Sequence, residues 1–119
     1  MHLKFELLPG VLRVEVTERE TAEETRQLIE GIFAERAKHG VLSVMVVTLK
    51  SRPIFKVEDY GLQAVIARVA AIPGLRIAGV ATEPDLRSAH EYVTLLASQR
   101  GAPMRNFATE HASTVLRTM

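Results

Sequence analysis

Alternating apolar and polar residues predict that the chain begins with a β-hairpin. The alternation runs through residues 2–7, breaks at Pro9-Gly10 and resumes through residues 12–17. A period of two places the apolar side chains on one face of each strand and the polar side chains on the other. We therefore expect an antiparallel hairpin with one face in water.

Helix signals recur along the rest of the chain. Thr21-Ala22-Glu23-Glu24 matches the capping box, and the helix that it opens ends at Lys38-His39-Gly40. A second helix is predicted from about Val57 to Ile72, where Pro73-Gly74 ends it. Thr82-Glu83-Pro84-Asp85 is a second capping signal for a helix that stops at Gly101, and Thr109 caps a fourth helix.

Three apolar segments between these helices predict further strands: Val41–Leu49, Leu75–Ala81 and Met104–Phe107. The first is too apolar for a half-exposed strand, so we expect it to be covered on both faces. The element order is then ββαβαβαβα, because strands and helices alternate after the hairpin. This order predicts one α/β domain, residues 1–119, with a five-stranded mixed sheet and about four helices on both of its faces.

Composition excludes several functional classes. The 119 residues include no cysteine, so disulfides, thiol nucleophiles and cysteine-ligated metals are excluded. The net charge is +1, from 15 basic and 14 acidic residues in mixed order, which argues against nucleic acid as a partner. No apolar run approaches the length of a membrane span, and the start resembles no signal peptide. We expect a cytoplasmic protein that does not insert into membranes.

The segment after the central predicted strand is a candidate binding loop. It places three positive charges and a hydroxyl between a strand end and a helix start, where open α/β sheets bind ligands and free amides attract anions. The predicted ligand or partner contacts are Thr48, Lys50, Ser51, Arg52, Phe55 and Lys56. The alternative is a solvated loop that is charged because loops generally are.

The predicted helix over residues 61–72 has few polar side chains. A helix on the outside of a sheet usually carries a polar stripe as wide as its apolar one. We expect the apolar surface of Leu62, Val65, Ile66 and Val69 to be covered by a second copy in a homodimer or by an apolar ligand. The alternative is an alanine-rich helix that exposes little apolar area.

No catalytic or metal constellation emerges from the titratable residues. His90 has no nucleophile at a suitable spacing, so we interpret it as a structural histidine, buried in part or at the surface. Glu83 and Asp85 are interpreted as capping and helix-dipole residues rather than metal ligands, and so are Glu58 and Asp59. We predict no cofactor, no metal and no enzymatic activity.

This order of elements resembles the STAS superfamily, the sulfate-transporter and anti-sigma-factor-antagonist fold, and within it the small bacterial SpoIIAA-like branch. That branch shares its fold with lipid-binding Sec14 relatives. The resemblance covers nearly the whole chain and is carried by Leu8-Pro9-Gly10-Val11, Val44–Leu49, Leu75–Val80 and Met104–Phe107. It implies a non-enzymatic interaction or small-ligand domain.

In the anti-sigma-antagonist members, a serine at a helix start after the central strand is phosphorylated to switch partner binding. Ser51 corresponds to it by position, but two cations flank Ser51 and no acidic residue precedes it. We therefore expect a regulatory module that binds a protein partner or a small anion through loop 48–55. The alternative is a carrier of a small apolar or acyl ligand, in a pocket between the second helix and the sheet lined by Ile54, Phe55, Leu62 and Ile66.

Overall fold

A computed structural model describes residues 1–51 and 61–107 of the chain. In these residues the elements are β1 (His2–Leu8), β2 (Val11–Thr17), α1 (Ala22–His39), β3 (Ser43–Leu49), α2 (Leu62–Ala71), β4 (Arg76–Val80), α3 (Pro84–Gln99) and β5 (Met104–Phe107). Every predicted strand is present. The start of the second predicted helix, from Val57, and the fourth helix, from Thr109, lie outside the described residues.

The five strands form one mixed sheet in the order β1-β2-β3-β4-β5. β1 runs antiparallel to β2, and each later neighbouring pair is parallel. Leu8 pairs with Val11, so Pro9-Gly10 forms the two-residue turn of the hairpin. The predicted mixed sheet with an N-terminal hairpin is confirmed.

The three described helices pack on the same face of this sheet. Right-handed crossovers that always step to the next strand in one direction place each connecting helix on the same side. One core cluster joins buried side chains of the helices to alternating residues of β2 and β3: Leu28, Ile32, Ile66, Val69 and Ala97 with Leu12, Val14, Val16 and Val44. We call this the helix side. Helices on both faces stay a prediction, because the described helices cover one face and the predicted fourth helix lies outside the described residues.

The opposite face of the sheet also carries buried side chains. Val11, Met45, Val47 and Val80 form a second cluster, and each is at most 4% exposed. Val44 and Thr48, which point to the helix side, are 2% exposed. The prediction that the central strand is buried on both faces is therefore confirmed.

The two predicted capping signals have different outcomes. At the start of α1 the capping box is present, since the Glu24 N–H donates to Thr21 Oγ1 at 3.0 Å and the Thr21 N–H donates to Glu24 Oε1 at 3.2 Å. At the start of α3, Pro84 occupies the first turn as predicted, but Glu83 makes no capping bond through its side chain. α1 therefore begins with a fixed cap, whereas α3 does not.

None of the helices in residues 1–51 and 61–107 has the length and apolarity that a membrane span requires.

Candidate functional site

A cavity of about 140 Å³ lies between the helix side of the sheet and the helices α1 and α3. Thr48, Gly79 and Asn106 line it near the carboxyl ends of β3, β4 and β5. Open α/β sheets bind their ligands at this edge, where the parallel strands end and the chain turns into the following loops. We call this space the helix-side cavity.

Most of the cavity wall is apolar. The two helices contribute these apolar wall residues: Leu28, Ile29, Ile32 and Phe33 of α1, and Leu86, Ala89 and Val93 of α3. Small-molecule sites in proteins are typically concave spaces with mainly apolar walls and a few polar groups.

His90 of α3 lies directly against Gly79 of β4 in this wall. A Cβ atom on Gly79 would stand 2.9 Å from Nδ1 of His90 and 3.4 Å from its Cε1. The imidazole can rest on the strand only because residue 79 has no side chain. Nδ1 is buried, and no described residue forms a hydrogen bond with it. An unsatisfied buried polar atom costs ~1–3 kcal/mol.

The imidazole of His90 is neutral at pH 7. Burial is the larger cause that lowers its pKa to about 4, and the positive charge of Arg19 is the second. Arg105 is the other charged residue of the described cavity wall, which contains no carboxylate. The wall therefore combines a neutral imidazole with two arginines.

Buried polar residues concentrate at the helix-side cavity. Four polar or charged residues in the described ranges are buried, and three of them, Arg19, Thr25 and Thr48, line this cavity. Thr25 donates its hydroxyl proton to the carbonyl oxygen of Thr21 at 3.1 Å. The fourth, Ser43, is not a wall residue. This distribution distinguishes the cavity from the rest of the interior.

The loops beside the cavity contain two strained backbone positions. Glu18 has a φ of +59° and Lys50 a φ of +42°, a region that residues with a Cβ rarely adopt. The two lie side by side, since the Glu18 N–H donates to the carbonyl oxygen of Lys50 at 3.1 Å. Backbone strain of this kind concentrates at functional sites and costs ~1–3 kcal/mol for each residue.

Only part of the predicted binding loop lies in the described residues. Thr48 is buried and faces the helix-side cavity, whereas Lys50 is exposed. The Ser51 hydroxyl donates to the carbonyl oxygen of Leu49 at 2.9 Å and accepts from the Arg19 N–H at 3.2 Å. Ser51 therefore joins the loops after β2 and β3. The remaining predicted contacts, Arg52, Phe55 and Lys56, lie outside the described residues.

The structure corrects the predicted apolar surface of α2. Ile66 and Val69 are 0% exposed in the core, so neither side chain is available to a second copy. The core takes these two positions because they face β2 and β3. Val65 is half-buried and lines the helix-side cavity. The side chain of Leu62 lies outside the described part, and the homodimer itself stays a prediction.

The exposed side of α2 consists mainly of alanine, as the alternative interpretation expected. Ala64, Ala67, Ala70 and Ala71 are exposed there. Arg68 covers part of this side, since its guanidinium lies 3.9 Å from the centre of the Phe33 ring and donates to Glu30 Oε1 at 2.6 Å. Among the described side chains of α2, the small alanines and the stacked arginine leave little exposed apolar area.

The predicted carrier pocket is at a different place from the cavity. Ile66 belongs to the packed core and is not part of the cavity wall, and Ile54 and Phe55 lie outside the described residues. The cavity opens instead between α1, α3 and the sheet. A second hollow, of about 400 Å³, lies between α1 and α2 and shares Ile29 and Val65 with the cavity.

The acidic residues in the described part of the chain do not form a metal site. Within the described ranges, no three histidine or acidic side chains come together in a way that could hold a metal ion. Glu83 and Asp85 stand at the exposed start of α3. Glu58 and Asp59 lie outside the described residues.

No protein-family model matches the chain, and no curated protein matches it significantly.

Sequence reasoning missed three important members of the cavity. Arg19 and Thr25 were not singled out, because an arginine after a strand and a threonine in a helix are ordinary surface residues in most sequences. Gly79 carried a usable signal, since a glycine inside an apolar strand often marks the close approach of another group. His90 was considered, but its burial against Gly79 requires the packing of α3 on β4, which no local pattern reveals.

Proposed function

We propose that this protein binds a small apolar molecule in the helix-side cavity. The observation that carries the proposal is a cavity of about 140 Å³ with a mainly apolar wall at the carboxyl edge of the parallel strands. An apolar cavity of about 150 Å³ in another protein is known to stay dry and to bind benzene. The buried part of the ligand is therefore about the size of one aromatic ring.

This proposal develops the carrier alternative rather than partner recognition through the charged loop. The loop residues that the structure describes support partner recognition weakly, because Thr48 is buried and the Ser51 hydroxyl is engaged by its neighbours. Binding of a partner or a small anion through residues 48–55 stays a separate prediction. Membership of the SpoIIAA-like family also stays a prediction.

The direct test is whether toluene stabilises the protein and whether filling the cavity removes the effect. A ligand that binds only the folded state raises the free energy of unfolding by RT ln(1 + [L]/Kd). Ala89 is 2% exposed and lines the cavity, so the additional carbon atoms of Ala89→Leu would enter it. Ala67 is exposed on α2 and lines neither hollow, which makes Ala67→Leu the matched control.

We expect toluene near its solubility limit to raise the melting temperature of the wild type and of Ala67→Leu, but not of Ala89→Leu. An equal rise in Ala89→Leu would place the binding elsewhere and contradict the proposal. The absence of any rise in the wild type would also contradict it.

A further inference from the structure

We propose that β1 is a self-association surface, on which β1 of a second copy pairs antiparallel and joins two domains through one continuous sheet. β1 is an edge strand, since among the described residues it pairs with β2 on one side and with no strand on the other. No residue of β1 lines the helix-side cavity, so this proposal is independent of the proposed function.

The free edge of β1 presents regular backbone groups. Leu8 flanks the two-residue turn at Pro9-Gly10, so it exchanges both of its backbone hydrogen bonds with β2. This bonding alternates along an antiparallel pair, and every second residue therefore turns its N–H and C=O groups the other way. The outward groups are those of Leu3, Phe5 and Leu7. A strand laid along this edge would find three evenly spaced pairs of donors and acceptors.

β1 lacks several features that usually protect an edge strand from other chains. Proline, a bulge or a very short length are common forms of such protection. β1 has seven residues, His2–Leu8, none of them proline, and it pairs with β2 residue for residue, so no bulge interrupts it. The side chain of Leu7 is 51% exposed. The remaining protection is charge, at Lys4 and Glu6, and these charges select the partner.

The charges of β1 fit a second copy in one register. In an antiparallel pair centred on Phe5, the exposed Lys4 of each copy lies opposite the exposed Glu6 of the other, so two pairs of opposite charge form. Outward residues must pair with outward residues, which allows the partner strand to shift only by two residues at a time. A shift in one direction places Lys4 opposite Lys4, and a shift in the other places Glu6 opposite Glu6. Like charges in opposite positions are unfavourable, so the register centred on Phe5 is preferred.

The same register pairs the apolar side chains of β1. Leu3 lies opposite Leu7 of the second copy, and the two Phe5 side chains are neighbours across the two-fold axis. Leu3 and Phe5 already pack against the helix-side core, so the exposed Leu7 would be covered beside them. This pairing closes with two copies, whereas pairing of β1 with β5 would continue into an open chain of copies. One pair of strands is a small interface, so we expect a weak dimer.

Sedimentation equilibrium of the full chain, up to millimolar concentration, measures the dissociation constant of the dimer. Lys4→Glu and Glu6→Lys each replace both pairs of opposite charge by pairs of like charge, so each should weaken dimerisation about tenfold or more. An equimolar mixture of the two variants should form a heterodimer about as strong as the wild-type dimer. The double variant Lys4→Glu/Glu6→Lys should dimerise like the wild type. Lys38→Glu, at the exposed end of α1, is the control for net charge and should have no effect.

A wild type that stays monomeric at millimolar concentration overturns the proposal. A dimer that Lys4→Glu and Glu6→Lys leave unchanged also overturns it, because another surface then joins the two copies. If both variants weaken the dimer but neither the mixture nor the double variant restores it, the register centred on Phe5 is wrong.

Hydrogen exchange of the wild type locates the interface without any variant. The N–H groups of Leu3, Phe5 and Leu7 should exchange more slowly at a concentration at which the dimer dominates than at a low concentration. The N–H groups of Lys4 and Glu6 bond to β2 in both states, so their exchange should change little. Equal exchange of the outward groups at both concentrations overturns the proposal. Toluene binding tests the cavity separately, so the two proposals can fail independently.

Discussion

The two ends of the helix side of the sheet are built differently. At the amino ends of the strands, Leu12 and Val44 lie at opposite positions of β2 and β3 and are 1% and 2% exposed. Leu75, at 1%, and Ala97, at 0%, belong to the same core cluster. At the carboxyl ends, the same layer contains the helix-side cavity and His90. The cavity extends along β4 and β5 as far as Ile77 and Met104, and its buried polar residues Arg19 and Thr48 lie towards the carboxyl ends of β2 and β3.

This difference separates stability from function within one layer. Dense apolar packing supplies most of the free energy of folding, and polar groups without partners reduce it. A domain with one well-packed end tolerates a costly site at the other. The strained backbone at Glu18 and Lys50 belongs to the costly end as well. We therefore expect substitutions at the packed end to affect stability more than binding. Substitutions at the cavity end should affect binding more than stability.

The largest expected effect compares two leucines with the same exposure. Leu75 and Leu86 are both 1% exposed, but only Leu86 lines the helix-side cavity. Leu75→Ala should lower the free energy of unfolding by about 3–5 kcal/mol, because a new cavity forms in a packed region. Leu86→Ala should cost less, about 2–3 kcal/mol, since one side of this side chain already faces open space.

Urea denaturation of both variants measures this difference. Leu86→Ala should also strengthen the binding of ligands larger than toluene, and Leu75→Ala should not. Equal losses of stability would show that the two ends are packed alike, which would contradict the comparison.

The next effect is a loss of stability between pH 6.5 and pH 4. The folded pKa of His90 is about 4 and its ordinary value is 6.5, so in this interval the unfolded chain binds the proton more readily. The contribution of His90 to stability is complete above pH 6.5 and decreases as the pH falls towards 4. The full shift corresponds to at most about 3 kcal/mol.

Thermal or urea unfolding across this interval, on the wild type and on His90→Gln, measures the contribution. The N-terminal ammonium and the backbone N–H groups of Glu20 and Thr21 lower the pKa of Glu24 to about 2. Glu24 therefore changes the pH dependence of stability mainly below pH 4.5. A slope that is the same in His90→Gln would assign the effect to other groups.

A smaller effect is expected from Gly79→Ala. The added Cβ would stand 2.9 Å from Nδ1 of His90, so the imidazole must move away from the strand. The side chain is at the end of a rotatable bond and has the cavity beside it, so the cost should be about 1–3 kcal/mol. The pKa of His90 should rise towards 6.5 as the ring becomes more hydrated, and NMR titration of its ring protons measures this change. An unchanged pKa would mean that the ring does not rest on Gly79.

The sequence predicts the packed end of the molecule well. The alternation of the hairpin, the apolar run of β3 and the capping box of Thr21 each depend on residues near one another in the chain. These signals determine local structure and the face that each element buries. The mixed sheet then follows from the order of the elements.

The cavity could not be predicted in the same way. It depends on the fit between α1, α3 and three strands, and the same apolar residues could have filled the space completely. The prediction for α2 failed for a related reason, because Ile66 and Val69 were counted as surface before the packing of the helix was known. Periodicity identifies an apolar stripe but does not show what the stripe contacts.

The smallest expected effect tests the strain at the cavity end. Lys50 has a φ of +42°, and glycine adopts this conformation without steric cost, whereas alanine does not. Lys50→Gly and Lys50→Ala both remove the positive charge, so the difference between them isolates the backbone. We expect Lys50→Gly to be more stable than Lys50→Ala by about 0.5–1 kcal/mol, because the relief of strain exceeds the greater flexibility of glycine in the unfolded chain. Equal stabilities in urea denaturation would show that residue 50 is not strained, and the cavity end would then lose one of its distinguishing features.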